Sequence, residues 1–476
     1  MSQRVTPAAL DDLLGRSWRR PGESAYALAD GLRGLVVNGR VAARTRVPSE
    51  RELSMRLGIS RGSVSRAYDR LRDEGYLTSR RGAGSWLTLP AGSGPVDAPF
   101  DTSAELNLTW AALPAPDPLL AHAATRAAAA LPRLLHTAGY DAAGVPELRE
   151  AIAARLTARG LPSRADEVLV TAGAQHALHL LLTLLAGPGD RVLVDAPAYP
   201  RTLSAIRTAR ARAIAVPLTP TGWDVEAWEA TLAAGGPSLA VTVADFHNPT
   251  GLVMSGSDRE ALARACARAG ALLVVDETFA ELRLDGPALP APLGAHDPGA
   301  AVVTVGTLSK SAWGGLRVGW IRASRRLVSE LASVRASHDM AGPVLDQLLA
   351  LELLGEWEAV LEDRRALLKA RRAALLDALP GSWTVRRPRG GMCAWVQLPA
   401  PVATRLAGIA ATEGIAISPG PAFSVDGTFE SHVRLPFTLP PDDLRRAVER
   451  LAALAANLTD GATAVGGVGI RDALAV

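Results

Sequence analysis

From about Glu105 onward the chain alternates short apolar runs with helical stretches, and few folds tolerate that alternation. The candidate strands are Val168–Thr171, Arg191–Asp195, Arg212–Val216, Leu239–Val243, Leu272–Asp276, Ala301–Val305 and Val318–Arg322. Helical spacing fills most of the gaps, as in Ala174–Leu185 and Asp258–Ala269. Strand, helix, strand at this rhythm predicts an α/β fold with a mainly parallel, doubly wound sheet of seven strands. After Val360 the grain changes. A long Arg-rich helix leads to Trp383–Val385, Met392–Gln397, Ile415–Ser418 and His432–Pro436, which predicts a smaller α+β domain.

Upstream the pattern differs. Helical spacing covers Tyr26–Asn38, Glu50–Leu57 and Ser60–Glu74, followed by two β runs, Tyr76–Arg80 and Ser85–Leu89, joined by Arg81-Gly82-Ala83-Gly84. Pro90–Thr102 is rich in Pro, Gly, Ser and Asp and reads as a linker. The expected organisation is a head at 18–89, a linker at 90–104, a body at 105–458 with a small subdomain at about 360–458, and a flexible tail at 459–476.

At 476 residues the chain is long enough for two or three domains. Its 48% hydrophobic and 21% charged residues exclude wholesale disorder. No apolar run reaches the 18 or so residues of a membrane span. Met1–Leu14 carries acids where a signal peptide would carry bases, so a cytoplasmic protein is expected. Cys266 and Cys393 are the only cysteines, which leaves no disulfide framework. His176 and His179 lie three apart on a helix without an acidic or Cys partner nearby in sequence, and no metal site is expected.

Among 51 basic residues only two are lysines, Lys310 and Lys369. Arginine replaces lysine on most surfaces, but not where an amine must form an imine, because guanidinium stays protonated. Lys369 lies in an Arg-rich helix and reads as a solvated cation. Lys310 lies in Thr307-Leu308-Ser309-Lys310, beyond an apolar strand, where open α/β sheets bind ligands. Arg317 follows seven residues later in a glycine-rich loop. An amine, small hydroxyls and a guanidinium suit an aldehyde that also carries a phosphate. Asp276 ends another strand, where a carboxylate keeps a pyridine nitrogen protonated. Asn248, in His247-Asn248-Pro249-Thr250-Gly251, offers an amide to a phenolate oxygen. Thr171-Ala172-Gly173-Ala174-Gln175 leads into a helix N-terminus, a ready anion site.

Charge is unevenly spread. Residues 1–90 carry +7 and the remainder −4. A basic head on a mildly acidic body points to an anion-binding module. Glu50–Leu57, the turn at Gly58-Ile59 and a second helix capped by Ser60 form a helix-turn-helix pattern. Arg61, Ser63, Ser65 and Arg66 fall in the first turns of the second helix, where side chains reach base edges and phosphates. The hairpin with Arg80 and Arg81 would be a wing.

These residues carry two resemblances. Val47-Pro48-Ser49-Glu50-Arg51-Glu52-Leu53-Ser54, Leu57–Tyr68 and Leu71–Leu77 closely resemble the GntR-type winged helix over about residues 24–89. The resemblance implies DNA contacts at Arg51, Ser60, Arg61, Ser63, Ser65, Arg81 and Gly82. Some family members carry a second Arg at the position of Ser65, and Arg66 stands beside it. The body resembles the fold-type I pyridoxal phosphate enzymes of the aspartate aminotransferase superfamily over about residues 105–458. That implies pyridoxal 5'-phosphate on Lys310 as an imine, with Asp276 on the pyridine nitrogen, Asn248 on the ring oxygen and Tyr199 stacked on the ring. It also implies a phosphate site of Gly173, Ala174, Gln175, Thr307, Ser309 and Arg317, Tyr140 reaching a partner subunit's phosphate, and Arg434 holding a substrate or effector carboxylate. The chain departs from the superfamily after Asp276, where a tyrosine is usual and Thr278 and Phe279 stand.

A GntR head on such a body is the architecture of the MocR subfamily of bacterial regulators, as is the seven-residue step from Lys310 to Arg317. The resemblance implies a homodimer with each head docked near the partner's body, binding double-stranded DNA and sensing the cofactor or an amino compound. Control of vitamin B6 or amino-acid metabolism is the expected theme. The alternative is a working aminotransferase with a vestigial or targeting head.

Overall fold

The computed structural model describes residues 4–15, 24–37, 40–80, 83–89, 104–299 and 301–465, the last seven by backbone alone. Arg81, Gly82 and nearly all of the predicted linker lie outside the described residues, as do residues 466–476 of the expected tail. The chain divides into two units. One holds Ala111–Lys369 and Pro388–Cys393; the other is built from described residues within Ser2–Trp110, Ala370–Arg387 and Ala394–Val476.

In the second unit, the head opens with a helix that the periodicity did not reveal, α1 (Pro7–Leu14), capped by Thr6 with Pro7 at its first turn. α2 (Ser24–Val37), β1 (Arg46–Val47), α3 (Glu50–Leu57) and α4 (Arg61–Asp73) follow, then the hairpin β2 (Leu77–Arg80) and β3 (Gly84–Leu87). β3 lies between β1 and β2, antiparallel to both. α3 starts with a reciprocal capping box between Ser49 and Glu52, worth about 1 kcal/mol. It stops at Gly58, which takes a left-handed φ of 67°. The helices close over one core that includes Leu10, Leu28, Leu32, Leu53, Leu57, Val64 and Leu71. The Tyr68 hydroxyl donates to the Pro48 carbonyl at 2.8 Å and pins α4 to the turn before α3. Beyond the linker, β4 (Leu106–Leu108) is the first strand of a second sheet.

The larger unit begins with α5 (Leu119–Ala130) and α6 (Pro146–Ala158). The alternation then runs β5 (Val168–Thr171), α7 (Ala174–Leu185), β6 (Arg191–Ala196), α8 (Pro200–Thr208), β7 (Arg212–Pro217), α9 (Val225–Ala233), β8 (Leu239–Thr242), α10 (Gly256–Arg268), β9 (Leu272–Asp276), β10 (Val302–Thr307) and β11 (Gly319–Arg322). The seven strands form one sheet in the order β5-β11-β10-β9-β8-β6-β7. β11 is antiparallel to both neighbours and the other pairs are parallel. β5, β8 and β10 are buried along their whole length, as strands covered on both faces must be. α11 (Arg325–Arg335), α12 (Val344–Gly355) and the 22-residue α13 (Trp357–Ala378) follow.

The second sheet is completed by β12 (Thr384–Val385), β13 (Cys393–Gln397), β14 (Ile415–Pro419) and β15 (His432–Pro436), with α14 (Ala403–Thr412) and α15 (Pro441–Val465). Its order is β12-β13-β15-β14-β4, and β4 pairs parallel with β14 across some 300 residues of chain. α15 carries the backbone to Val465, several residues past the predicted start of the tail.

Candidate cofactor site and nucleic-acid interface

The parallel strands of the larger sheet end side by side: Asp276 and Thr307 close β9 and β10, and Gly173, Asn248, Ser309 and Lys310 follow the ends of β5, β8 and β10. Gly319 pairs with Thr171 on one side and Thr307 on the other, so three strand ends stand in one row. Arg317 precedes that row with a left-handed φ of 51°. Its Nη2 donates to the Ala172 carbonyl at 2.6 Å. Gly173 has φ +94°, and a Cβ there would stand 3.0 Å from Arg317 Nη2; a Cβ on Gly319 would press into Gly173's backbone at 2.7 Å. Two glycines thus let β5, β11 and the guanidinium converge at the start of α7, where free N–H groups favour an anion. The Thr307 hydroxyl donates to the Val318 carbonyl at 2.9 Å and accepts from the Ser309 amide at 3.1 Å. Gln175 Nε2 donates to the Arg201 carbonyl at 3.3 Å, and Ala174 is the first residue of α7.

Lys310 is partly buried beyond β10, and its positive charge is felt at Asp276. Burial pushes the Asp276 carboxyl above the usual carboxylate range, against the pull of Thr278, whose amide donates at 2.8 Å, and of Lys310. Asn248 is buried, and among the described residues its side-chain oxygen has no hydrogen-bond partner. Tyr199 caps α8 and is partly buried. Tyr140 stands 71% exposed. Phe279 is buried and brings no phenol to the site.

A buried network that the sequence reading passed over supports Asn248. Asp195, near the end of β6, accepts from Trp223 Nε1 and the Thr242 hydroxyl, both at 2.8 Å. His247 Nε2 lies 3.5 Å from the same carboxylate, and its Nδ1 meets the Thr250 hydroxyl at 2.9 Å. The signal was present: Asp195 ends an apolar run as Asp276 does.

A buried Asn248 amide, a glycine–arginine cradle and an amine whose charge reaches a buried carboxylate are the groups that a phosphorylated pyridine aldehyde needs, so the residues present fit such a group. Among the described residues no group of three or more His, Cys, Asp or Glu side chains could hold a metal ion, and no helix is long and apolar enough to cross a membrane.

Arg434 belongs to the other unit. It is buried on β15, lies 5.1 Å over the Phe423 ring, and donates from Nη2 to the Thr109 carbonyl and, at 3.3 Å, to the Ser418 hydroxyl.

In the head, Arg51, Ser60, Arg61 and Arg66 are exposed and Ser65 is partly so. Ser63 is only 6% exposed, because it faces inward as part of the cap: its amide donates to Ser60 Oγ at 3.0 Å and the two hydroxyls meet at 2.9 Å. Arg61 keeps 73% of its side chain exposed, 3.7 Å from Glu50. Arg4 and Arg46 join Arg51 and Arg61 around one concavity beside Glu50 and Glu52. Gly84, at φ +113°, leaves room for Arg46, whose Nε would lie 2.7 Å from a Cβ there. Sequence reading missed Arg4 and Arg46, since Arg4 is brought to the site from far ahead of the motif by its backbone bridge to Arg46 and its 3.1 Å ion pair with Glu52.

Comparison with known proteins agrees with both halves. Residues 118–451 match the family "Aminotransferase class I and II", and residues 25–86 match "Bacterial regulatory proteins, gntR family". The HTH-type transcriptional regulator TauR of Rhodobacter capsulatus is 31% identical over 82% of this chain and 87% of its own. A Rhizobium meliloti protein described as "Probable rhizopine catabolism regulatory protein MocR" is 32% identical over 62% of this chain and 64% of its own. Among solved structures, Pyrococcus horikoshii kynurenine aminotransferase, crystallised with PMP, superposes with a TM-score of 0.69 at 26% identity, covering 75% of this chain and 92% of that one. The chain belongs to the class I and II aminotransferase family and carries a gntR-family head. That combination is the MocR-subfamily architecture: a GntR/MocR-type regulator with an aminotransferase-like domain of the fold type whose members depend on pyridoxal phosphate.

Proposed function

We propose that this regulator binds double-stranded operator DNA through its head and holds pyridoxal 5'-phosphate in its body. The cofactor, or an amino compound exchanging onto it, is the signal. The observation that carries the reading is that the charge of Lys310, one of two lysines in the chain, is felt at the buried Asp276, beyond strand ends of the same sheet that carries Asn248 and the Arg317–Gly173 cradle. Bound pyridoxal phosphate supplies a carbonyl that takes amines and a ring that draws off electrons. Lys310 provides the amine that retains it. Asp276 holds a proton on the ring nitrogen, and the resulting charge pair offsets the burial of its carboxyl. Asn248 serves the ring oxygen and Tyr199 covers the ring. Gly173, Ala174, Gln175, Thr307, Ser309 and Arg317 hold the phosphate, and Tyr140 serves the phosphate of a partner in a homodimer. Arg434 takes the carboxylate of an amino-compound effector.

In the head, Arg51, Arg61 and Arg66 contact DNA with Ser60, Ser65 and the wing residues Arg81 and Gly82, while Ser63 acts through the cap. The dimer addresses paired half-sites, and an effector shifts it only as far as its affinities for the two states differ. The regulated genes belong to vitamin B6 or amino-acid metabolism, and the protein works in the cytoplasm. Footprinting of the cofactor-loaded protein on its own upstream region and on divergent promoters tests this. Protection of a repeated or palindromic site supports it, and no protection anywhere overturns it.

A working aminotransferase is the second reading, favoured by the joint presence of Lys310, Asp276 and Arg434. Phe279 argues against it, since no phenol assists the ring oxygen. Single-turnover conversion to the pyridoxamine form with common amino donors separates the two. Repeated fast turnover would establish the enzyme.

A further inference from the structure

Side chains hold three consecutive peptide groups on the way from β5 into α7. The Val170 carbonyl accepts from Arg335, which is fully buried on α11. The Ala172 amide donates to His176 Nδ1 at 3.0 Å, and the Ala172 carbonyl accepts from Arg317. An imidazole nitrogen accepts only while it carries no proton, so His176 holds the turn as a neutral ring protonated on Nε2.

The acidic partner that the sequence around His176 lacks is delivered by the fold. Arg335 Nε donates to Asp339 Oδ1 at 2.8 Å and its Nη2 to Asp339 Oδ2 at 3.1 Å. That second oxygen lies 3.9 Å from His176 Nδ1. One ring nitrogen therefore faces a backbone donor and a carboxylate at once. Neutral, it accepts from Ala172. Protonated, it can only donate; the Ala172 amide then loses its acceptor, and Asp339 is in place to receive the new N–H.

Among the described residues, the charged and titratable groups acting on the ring come from two elements. Arg335 ends α11, and His338 and Asp339 lie in the turn after it. His179 lies on α7 itself, and its ring meets that of His338 edge-on at 5.4 Å. Arg317 stands on the Ala172 carbonyl. Burial is the largest influence and holds the His176 pKa below 6.5. Arg335, His179 and His338 push the same way, and Asp339 pulls against them. The neutral ring thus prevails above pH 6.5 and is lost as the pH falls through the lowered pKa.

We infer that His176 is an acid-sensitive positioning residue for the phosphate turn: the neutral ring fixes the Ala172 amide behind the Arg317–Gly173 cradle, and the protonated ring leaves that amide for Asp339 and loosens the cradle. The identity of the anion as the phosphate of pyridoxal phosphate rests on the proposed function; the exchange of partners by the ring does not.

The test compares full-length wild type, His176→Asn and His176→Leu by spectroscopic titration with pyridoxal phosphate from pH 7.5 to pH 5.5, beside melting temperatures. Asn keeps an acceptor near the position of Nδ1 and takes up no proton; Leu offers no acceptor. At pH 7.5 His176→Leu should raise the Kd by roughly 2- to 12-fold, the span of one ordinary hydrogen bond, and His176→Asn should recover most of that loss. On acidification the wild-type Kd should rise relative to that of His176→Asn, a ratio in which the titration of the phosphate and of the imine cancels. A ratio that stays flat, or that falls because the charged ring attracts the phosphate, overturns the inference. So does a His176→Leu protein with wild-type Kd and melting temperature. In the unloaded protein, 15N-histidine NMR, with the His176 signal assigned by its loss in His176→Asn, should show Nδ1 bare and Nε2 protonated at pH 7.5. A proton on Nδ1 at that pH overturns the inference even if no cofactor binds. Wild-type protein with the expected tautomer that takes up no pyridoxal phosphate fails the proposed function and leaves the ring switch standing.

Discussion

Arg317 Nη2 donates to the Ala172 carbonyl at 2.6 Å, so the guanidinium is locked across the start of α7 before any anion arrives. Preorganisation of this kind has consequences that substitution can expose. Arg317→Leu removes a charged donor, and losses of about 1.5–3 kcal/mol are typical, or roughly 10- to 150-fold in the Kd for pyridoxal phosphate. Gly173→Ala should weaken binding in the same direction, because φ +94° and the 3.0 Å approach to Arg317 both oppose a methyl group. Spectroscopic titration with pyridoxal phosphate measures both.

Lys310→Ala should abolish the imine absorbance while leaving the fold intact, and Lys369→Ala should leave both unchanged. Absorbance spectra and circular dichroism decide this. Retention of the band in Lys310→Ala would transfer the role to another amine.

Arg61→Ala should weaken specific DNA binding by about 1–3 kcal/mol and relax preference at one position of the site. Ser63→Ala should behave differently. It keeps the amide that donates to Ser60 and removes only the buried hydroxyl contact, lowering head stability by about 1 kcal/mol, with little change in sequence preference. Fluorescence anisotropy over a set of mutated sites, beside thermal melts, separates readout from stability.

His432 sets a pH dependence. Burial lowers its pKa from 6.5 to about 4, so between these values the unfolded chain binds a proton that the folded chain refuses. Stability is therefore full above about pH 6.5 and falls as the pH drops toward 4, by on the order of 3 kcal/mol over the window. Urea melts at pH 7 and pH 4.5 should show the loss. His432→Gln should reduce it.

The sheet was legible because its strands are buried on both faces and so read as unbroken apolar runs; β5, β9 and α7 fall at the boundaries read from sequence. Short elements escaped for a physical reason. β1 has two residues and β4 three, and β4 owes its conformation to β14 far along the chain. The strand-end site residues were legible because each carries a chemistry that spacing places beyond an apolar run. Ser63 was misjudged because spacing on a helix does not say that a hydroxyl is already taken by the cap. The arginine excess misled as well. Arg335 is fully buried, donating to the carbonyls of Ala142 and Val170 and to Asp339, and Arg259 is buried against Asp245. The hint was positional: Arg335 follows Leu331 by four residues on the inward face of α11.

The helix ahead of the family match alters what counts as the head. The gntR match spans 25–86, yet Leu10 and Leu14 of α1 lie in the same core, and Arg56 of α3 pairs with Asp11 at 2.9 Å. A segment cut at the match boundaries would open that core, at a cost of several kcal/mol if Leu10 alone resembles other buried leucines. The inherited signature and the cooperative folding unit therefore have different edges. Grafting this DNA-binding specificity onto another body means carrying residues 4–15 along with it.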